Sequence, residues 1–248
     1  MDLGLQGRSA LVCGASAGIG LAIAKALAAE GAQVALVGRR AELLEREAAA
    51  IGGIALAADL TLPADVERIA DEALARFGGL DVLVLNGGGP PAGLATAVTP
   101  EMIESAVRLL FSCHVQLVGR LLDALKASGR GRIIAVESIA VKEPVENLAL
   151  SNAIRPGVVG WLKTLARELA PDGVTVNTLG PGRIATDRLK ALYGDGPVPD
   201  AVLQTIPARR VGRPDEIAAV AAFLASAQAS YVTGCMIPVD GGASRSLY

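Results

Sequence analysis

The sequence predicts an α/β chain built on one doubly wound, mostly parallel sheet with helices on both faces. Three observations predict it. Short apolar runs alternate with amphipathic stretches from one end of the chain to the other. Hydrophobic residues make up 52% and aromatics only 3% of the 248 residues, an Ala/Val/Leu-rich profile suited to helices packed on buried parallel strands. Glycines and isolated polar residues fall where the apolar runs stop, which is where ligands sit on such sheets.

Taken in order, Ser9-Ala-Leu-Val-Cys13 reads as a buried strand and Leu21 to Glu30 as an Ala/Leu-rich helix closed by Gly31. Between them lies Cys13-Gly-Ala-Ser-Ala-Gly-Ile-Gly20. Gly14, Gly18 and Gly20 let the backbone bend tightly and approach a ligand, while unpaired amides at a helix N-terminus favour an anion. A nucleotide phosphate is the natural candidate. The spacing is Gly-x-x-x-Gly-x-Gly, not the commoner Gly-x-Gly-x-x-Gly, and glycines alone would also suit a tight turn.

Gln33 to Gly38 is a second strand, followed by Arg39, Arg40 and a helix from Ala41 to Ala50. A third strand, Ile54 to Ala58, ends in Asp59; Pro63 opens a helix that stops at Gly78-Gly79. Asp81 to Asn86 is a fourth strand, broken by Gly87-Gly-Gly-Pro-Pro91. A long helical region covers Pro100 to Ser128, and Gly131 to Val136 is a fifth strand ending at Glu137-Ser138. Ser151 to Ala170 is a long helix, Val174 to Leu179 a sixth strand that meets Gly180-Pro-Gly182, Ile217 to Ser226 the last helix and Cys235 to Val239 the last strand. Residues 183–211, rich in Pro and Gly, read as a partly helical flap over a substrate. Right-handed crossovers then give a single Rossmann-type unit over 1–248, with Gly14 to Gly20, Gly38-Arg39, Asp59, Asn86, Ser138 and Pro181-Gly182 lining one crevice.

Composition excludes several classes. A net charge of −2 without a basic patch gives no reason to expect nucleic acid or an anionic membrane as partner. Cys13, Cys113 and Cys235 make no metal-ligand spacing and read as small core residues of a reduced compartment. With no basic and apolar leader and no run of membrane-spanning length, the expected location is the cytoplasm.

On Gly14-x-x-x-Gly18-x-Gly20, Asp59-Leu60, Asn86-Gly-Gly, Ser138, Pro181-Gly182 and Thr233-Gly-x-x-x-x-Val-Asp-Gly-Gly242, the chain resembles the short-chain dehydrogenase/reductase family over almost its whole length. The resemblance implies cofactor contacts from Gly14, Ser16, Ala17, Gly18, Ile19 and Gly20. It also implies Asp59 and Leu60 at the adenine, Asn86 and Gly87 flanking the adenosine ribose with Gly88 beside them, Pro181 and Gly182 along the crevice, and Ile184 and Thr186 at the nicotinamide carboxamide. NADP(H) is favoured over NAD(H): the carboxylate that accepts ribose hydroxyls in NAD-binding folds is replaced here by Gly38, and Arg39 and Arg40 offer guanidinium groups to a 2′-phosphate.

The family's catalysts are a Ser, a Tyr, a Lys four residues later and a supporting Asn. Ser138 fits the Ser. Alignment puts Ser151 at the Tyr position, Arg155 at the Lys position and the Asn position near Phe111, so the chain looks like a divergent subgroup similar to β-ketoacyl carrier-protein reductases. A phenol lowered by an ammonium exchanges protons near neutrality, whereas an alkyl hydroxyl needs help and a guanidinium holds its proton. Lys142, Glu143, Tyr193 and His114 are the alternative acids, but as loop charges, a flap tyrosine and a helix histidine they read first as solvated, packing, and interface or core residues, and alternation turns Glu137 away from Ser138. The implied activity is reduction of a small carbonyl or acyl-thioester substrate by a homotetramer. A nucleotide-binding protein without turnover, or a non-redox dehydratase or isomerase, fits the same scaffold.

Overall fold

The computed structural model describes residues 2–247; Met1 and Tyr248, which the single-unit reading includes, lie outside them. Parallel strands β1 (Ser9–Val12), β2 (Gln33–Gly38), β3 (Ile54–Ala57), β4 (Val82–Asn86), β5 (Arg132–Val136), β6 (Thr175–Pro181) and β7 (Met236–Val239) form one 7-stranded sheet in the order β3-β2-β1-β4-β5-β6-β7. The order reverses between β1 and β4, and the crevice expected at such a switch point opens above their C-terminal ends.

Side-chain alternation along the strands divides the core. Ala10, Val12, Val34, Leu36, Val82 and Val84 face α1 (Gly18–Ala29), α2 (Ala41–Ala50) and α9 (Pro214–Ala225). Leu11, Val37, Leu83, Leu85, Ile133 and Ala135 face α3 (Pro63–Phe77), α5 (Cys113–Ala127) and α6 (Ala149–Leu169). Because both faces are covered, the strands carry the near-continuous apolar runs that made them legible.

Boundaries shift in informative ways. α1 begins at Gly18, so Gly18 and Gly20 belong to its first turn and the tight turn proper is Gly14 to Ala17. The Pro100 to Ser128 region is α4 (Pro100–Val107), one π turn (Arg108–Ser112) and then α5, a continuous helix with one wide turn in it. α6 starts two residues earlier than its apolar pattern suggests and contains Pro156, whose ring forgoes one main-chain bond; the Asn152 side chain in that turn fastens Val145 by both its N–H and its carbonyl. Residues 183–211 hold the short helices α7 (Asp187–Tyr193) and α8 (Asp200–Gln204). Cys13 and Cys113 are core residues as expected, but Cys235, just before the edge strand β7, is exposed.

Candidate active site

At the β1–α1 turn the backbone itself is the feature. Gly14 has φ +60°, and a Cβ there would lie 2.6 Å from the Asn86 carbonyl oxygen; a Cβ on Gly20 would lie 2.3 Å from the Gly14 carbonyl oxygen. Only glycine tolerates both approaches. Gly20 therefore holds the turn against α1 and does not line the crevice, unlike Gly14, Ser16, Ala17, Gly18 and Ile19. No side chain caps the N-terminus of α1, leaving its first amides for an anion. Asn86 closes the cradle by donating from Nδ2 to the carbonyls of Cys13 (3.2 Å) and Gly14 (3.4 Å).

At the end of β2, a Cβ on Gly38 would press within 3.3 Å of Ser16, so the strand itself ends without a carboxylate; Asp187 approaches Arg40 from the flap, its Oδ2 3.8 Å from Nη1. Arg40 donates through Nε and Nη2 to Ser16 Oγ at 3.3 and 3.2 Å, and Arg39 lies beside it on the crevice wall. Asp59 accepts from the amide and hydroxyl of Thr61 at 2.9 and 2.8 Å; these bonds hold its carboxyl below its usual range. Leu60, Gly87, Gly88, Pro181, Gly182, Ile184 and Thr186 line the same crevice. It encloses about 1070 Å³, room for a dinucleotide and a small substrate together. A glycine cradle, uncapped amides and two arginines fit a phosphorylated dinucleotide, with the exposed Asp187 the one carboxylate ion-paired with either arginine among the described residues.

The deep end of the crevice brings Ser138, Ser151 and Arg155 together. Ser138 follows β5 in extended conformation, and its Oγ accepts from the Ala140 amide at 3.1 Å. Ser151 Oγ accepts from Arg155 Nε at 3.1 Å, one helical turn along α6. Arg155 is 7% exposed; its Nη1 donates to Glu137 Oε2 at 2.7 Å and its Nη2 to the Gly88 carbonyl at 3.4 Å.

Glu137 points where alternation sends it, away from Ser138 and toward the face of Ile133 and Ala135; that face is covered by α5 and α6, and α6 is where Ser151 and Arg155 reside. Glu137 thus lies at the back of the site, with its side chain fully buried. Burial raises its carboxyl above the ordinary value, against the opposing pull of Arg155. His114 is buried on α5, its Nδ1 4.0 Å from Glu137 Oε1. Burial and the nearby guanidinium push it down to about 4, so it is a neutral imidazole near pH 7. Among the described residues, neither of its ring nitrogens nor Glu137 Oε1 has a hydrogen-bond partner.

The other candidate acids part ways. Lys142 and Glu143 do not line the crevice; Glu143 instead accepts from the Arg245 amide. Tyr193 does line it, and its hydroxyl accepts from Arg183 Nε at 3.1 Å. Phe111 sits on the π turn with its ring edge-on to Trp161, centroids 5.7 Å apart. Sequence reasoning missed Gly89, Leu109, Arg183 and Arg188, all on the crevice wall. The glycine run was the available signal for Gly89, but single residues of an irregular flap carry none.

A family model described as Enoyl-(Acyl carrier protein) reductase matches residues 14–244. The 3-oxoacyl-[acyl-carrier-protein] reductase of Escherichia coli (strain K12) is 37% identical over 246 residues, covering 97% of this chain and 98% of that protein. The crystal structure of L-sorbose reductase from Gluconobacter frateurii, complexed with NADPH and L-sorbose, superposes with a TM-score of 0.93 at 32% identity over the full length of both chains. The 3-ketoacyl-(acyl-carrier-protein) reductase from Brucella melitensis, complexed with NADH, does so with 0.90 at 36%, covering 97% of this chain and 99% of that one. A sheet of this order, a glycine cradle at its switch point and matches of this extent lead to one conclusion: the chain belongs to the short-chain dehydrogenase/reductase family and is an oxidoreductase similar to the 3-oxoacyl reductases.

Proposed function

We propose that this protein is an NADP(H)-dependent carbonyl reductase that works with a Ser138–Ser151–Arg155 centre where relatives carry Ser, Tyr and Lys. The observation that carries the reading is the state of the two hydroxyls. Each accepts one hydrogen bond, Ser138 from Ala140 N–H and Ser151 from Arg155 Nε–H, and neither donates to an acceptor among the described residues. Both therefore have a proton free for a carbonyl oxygen, and two donors converging on one oxygen stabilise the charge that grows on it.

The cofactor is assigned to Gly14, Ser16, Ala17, Gly18 and Ile19 for the phosphates, Arg39 and Arg40 for the 2′-phosphate, Asp59 and Leu60 for the adenine, and Asn86, Gly87 and Gly88 for the ribose. Pro181, Gly182, Ile184 and Thr186 take the nicotinamide, and Gly20 supports the turn. When bound in reduced form, it supplies the hydride that adds to the carbonyl carbon. Ser138 and Ser151 hold the carbonyl oxygen; Ser151 Oγ gives it a proton, is reprotonated by water from the open crevice, and is kept in orientation by Arg155. Arg155 moves no proton, since a guanidinium stays charged.

The sorbose reductase complex with NADPH supports the phosphorylated cofactor, although the Brucella relative was solved with NADH. Arg39→Asp should weaken NADPH binding by at least about tenfold more than NADH binding, because it removes a phosphate partner and adds a repelling charge. Fluorescence titration with both cofactors checks this; equal losses would make Arg39 a surface residue. Steady oxidation of NADPH on a carbonyl panel tests the activity, and tight binding without turnover on any carbonyl would sink it.

We assign the flap role to residues 183–211 and a cytoplasmic homotetramer to the whole. Among the described residues no helix is long and apolar enough to cross a membrane. Edge strand β7 leaves Met236, Ile237 and Val239 only partly covered, and Tyr231 beside it is fully exposed. A second copy would cover both, giving isologous contacts with two-fold axes. Light scattering at micromolar concentration should return four times the chain mass, and a monomer mass would refute the assembly.

A further inference from the structure

On the crevice that holds Ser138 and Ser151, the 183–211 segment contributes the apolar side chains of Leu189, Leu192 and Val202 to the wall. Arg188 interrupts that wall. Its Nη2 donates to the Pro90 carbonyl at 2.8 Å, and a Cβ on Gly89 would lie 3.0 Å from its Cζ, Nε and Nη2, so the guanidinium packs closely on the bare backbone of Gly89. Arg155 holds the neighbouring carbonyl of Gly88. Two guanidinium groups are thus brought to one short strand of backbone, Gly88-Gly89-Pro90.

The charges there do not balance. Glu137 is the carboxylate of Arg155, and among the described residues Arg188 has none: Asp187 beside it turns toward Arg40 at 3.8 Å, and Glu146 on the same wall ion-pairs with neither arginine. Arg183, bonded to the Tyr193 hydroxyl, has no carboxylate among them either. Partial burial and the proximity of Arg155 both disfavour the charged form of Arg188. Like charges packed into a concave site are costly unless the ligand brings the opposite sign.

We propose that the carbonyl substrate is an oxo acid, its carboxylate held by the guanidinium of Arg188 and its apolar remainder lying along Leu189, Leu192 and Val202. This rests on the reductase reading. A carboxylate matches the fork of N–H donors in a guanidinium, whereas a thioester or ester offers no charge and leaves Arg188 uncompensated. The other source of negative charge is a phosphate of the cofactor, and the experiment separates the two.

Wild type and Arg188→Ala are assayed with NADPH on 2-oxohexanoate and 3-oxohexanoate, each beside its methyl ester. In parallel, hexanoate is titrated calorimetrically into the NADP⁺-bound protein, and NADPH affinity is measured alone. The expected wild-type preference is for acid over ester, on the order of 10²-fold in kcat/KM and expressed in KM. In Arg188→Ala that ratio falls toward unity and hexanoate binding is lost, with Arg188→Lys recovering part of both. Wild type that turns over esters as well as acids overturns the proposal, as does an Arg188→Ala variant whose NADPH affinity falls as far as its turnover. Hexanoate bound at Arg188 with no carbonyl reduced would overturn the reductase reading and leave the acid site standing.

Discussion

Glu137→Leu should destabilise the fold by roughly 3–5 kcal/mol, the largest loss expected from any single change near the site. The carboxylate is fully buried and makes the 2.7 Å bond to Arg155; its removal leaves a buried guanidinium with only Ser151 Oγ and the Gly88 carbonyl to satisfy it. Arg155 cannot respond by shedding its proton. Urea denaturation should show the midpoint falling sharply for Glu137→Leu and less for Glu137→Gln, whose amide oxygen still accepts from Nη1. The double variant Glu137→Leu with Arg155→Met should recover most of the loss, because a buried ion pair replaced by apolar side chains of similar volume costs little. A double variant no more stable than the single would mean that Glu137 is held in place by packing and not by charge.

That pair also marks where the sequence stops being informative. The glycine cradle was legible because its residues are forced by backbone geometry: Gly14 and Gly20 stand where a Cβ would strike a carbonyl, and such positions are written as glycine whatever surrounds them. The strand ends were legible because the apolar runs end there, and Gly38 with Arg39 announced a strand end without a carboxylate. Glu137 was dismissed because alternation gives the direction of a side chain but not what covers that face. The signal was present all the same: an acid directly after the apolar run Ile133 to Val136, and an arginine among the buried positions of α6, are charges that fold only if they find each other. Arg188 had no such signal, since the carbonyl it bonds belongs to Pro90, nearly a hundred residues away, beside a bare Gly89. The wide turn at Arg108–Ser112 was likewise invisible, because its residues continue the apolar pattern of the helix through it.

Ser151→Ala should lower kcat by a factor on the order of 10² or more, the usual contribution of a positioned proton donor, while NADPH affinity stays near wild type. Ser151 is 5% exposed and its Oγ accepts from Arg155 Nε, which leaves its own proton available to an oxygen in the crevice. Loss of that proton leaves Ser138 as the single donor, and the barrier rises by what one oriented donor contributes. Ser151→Tyr with Arg155→Lys tests the same site from the other side. A phenol beside an ammonium exchanges a proton near neutrality, and the scaffold, Ser138 and the cofactor cradle are already in place. The pair should raise carbonyl reduction provided Glu137 accepts the ammonium as it accepts the guanidinium; Glu137→Gln in that background should then lower the pH at which activity falls off, since a buried carboxylate favours the protonated lysine. A Ser151→Ala variant that keeps its full kcat, together with a gain from the restored pair, would make Ser151 a bystander and move the proton to solvent.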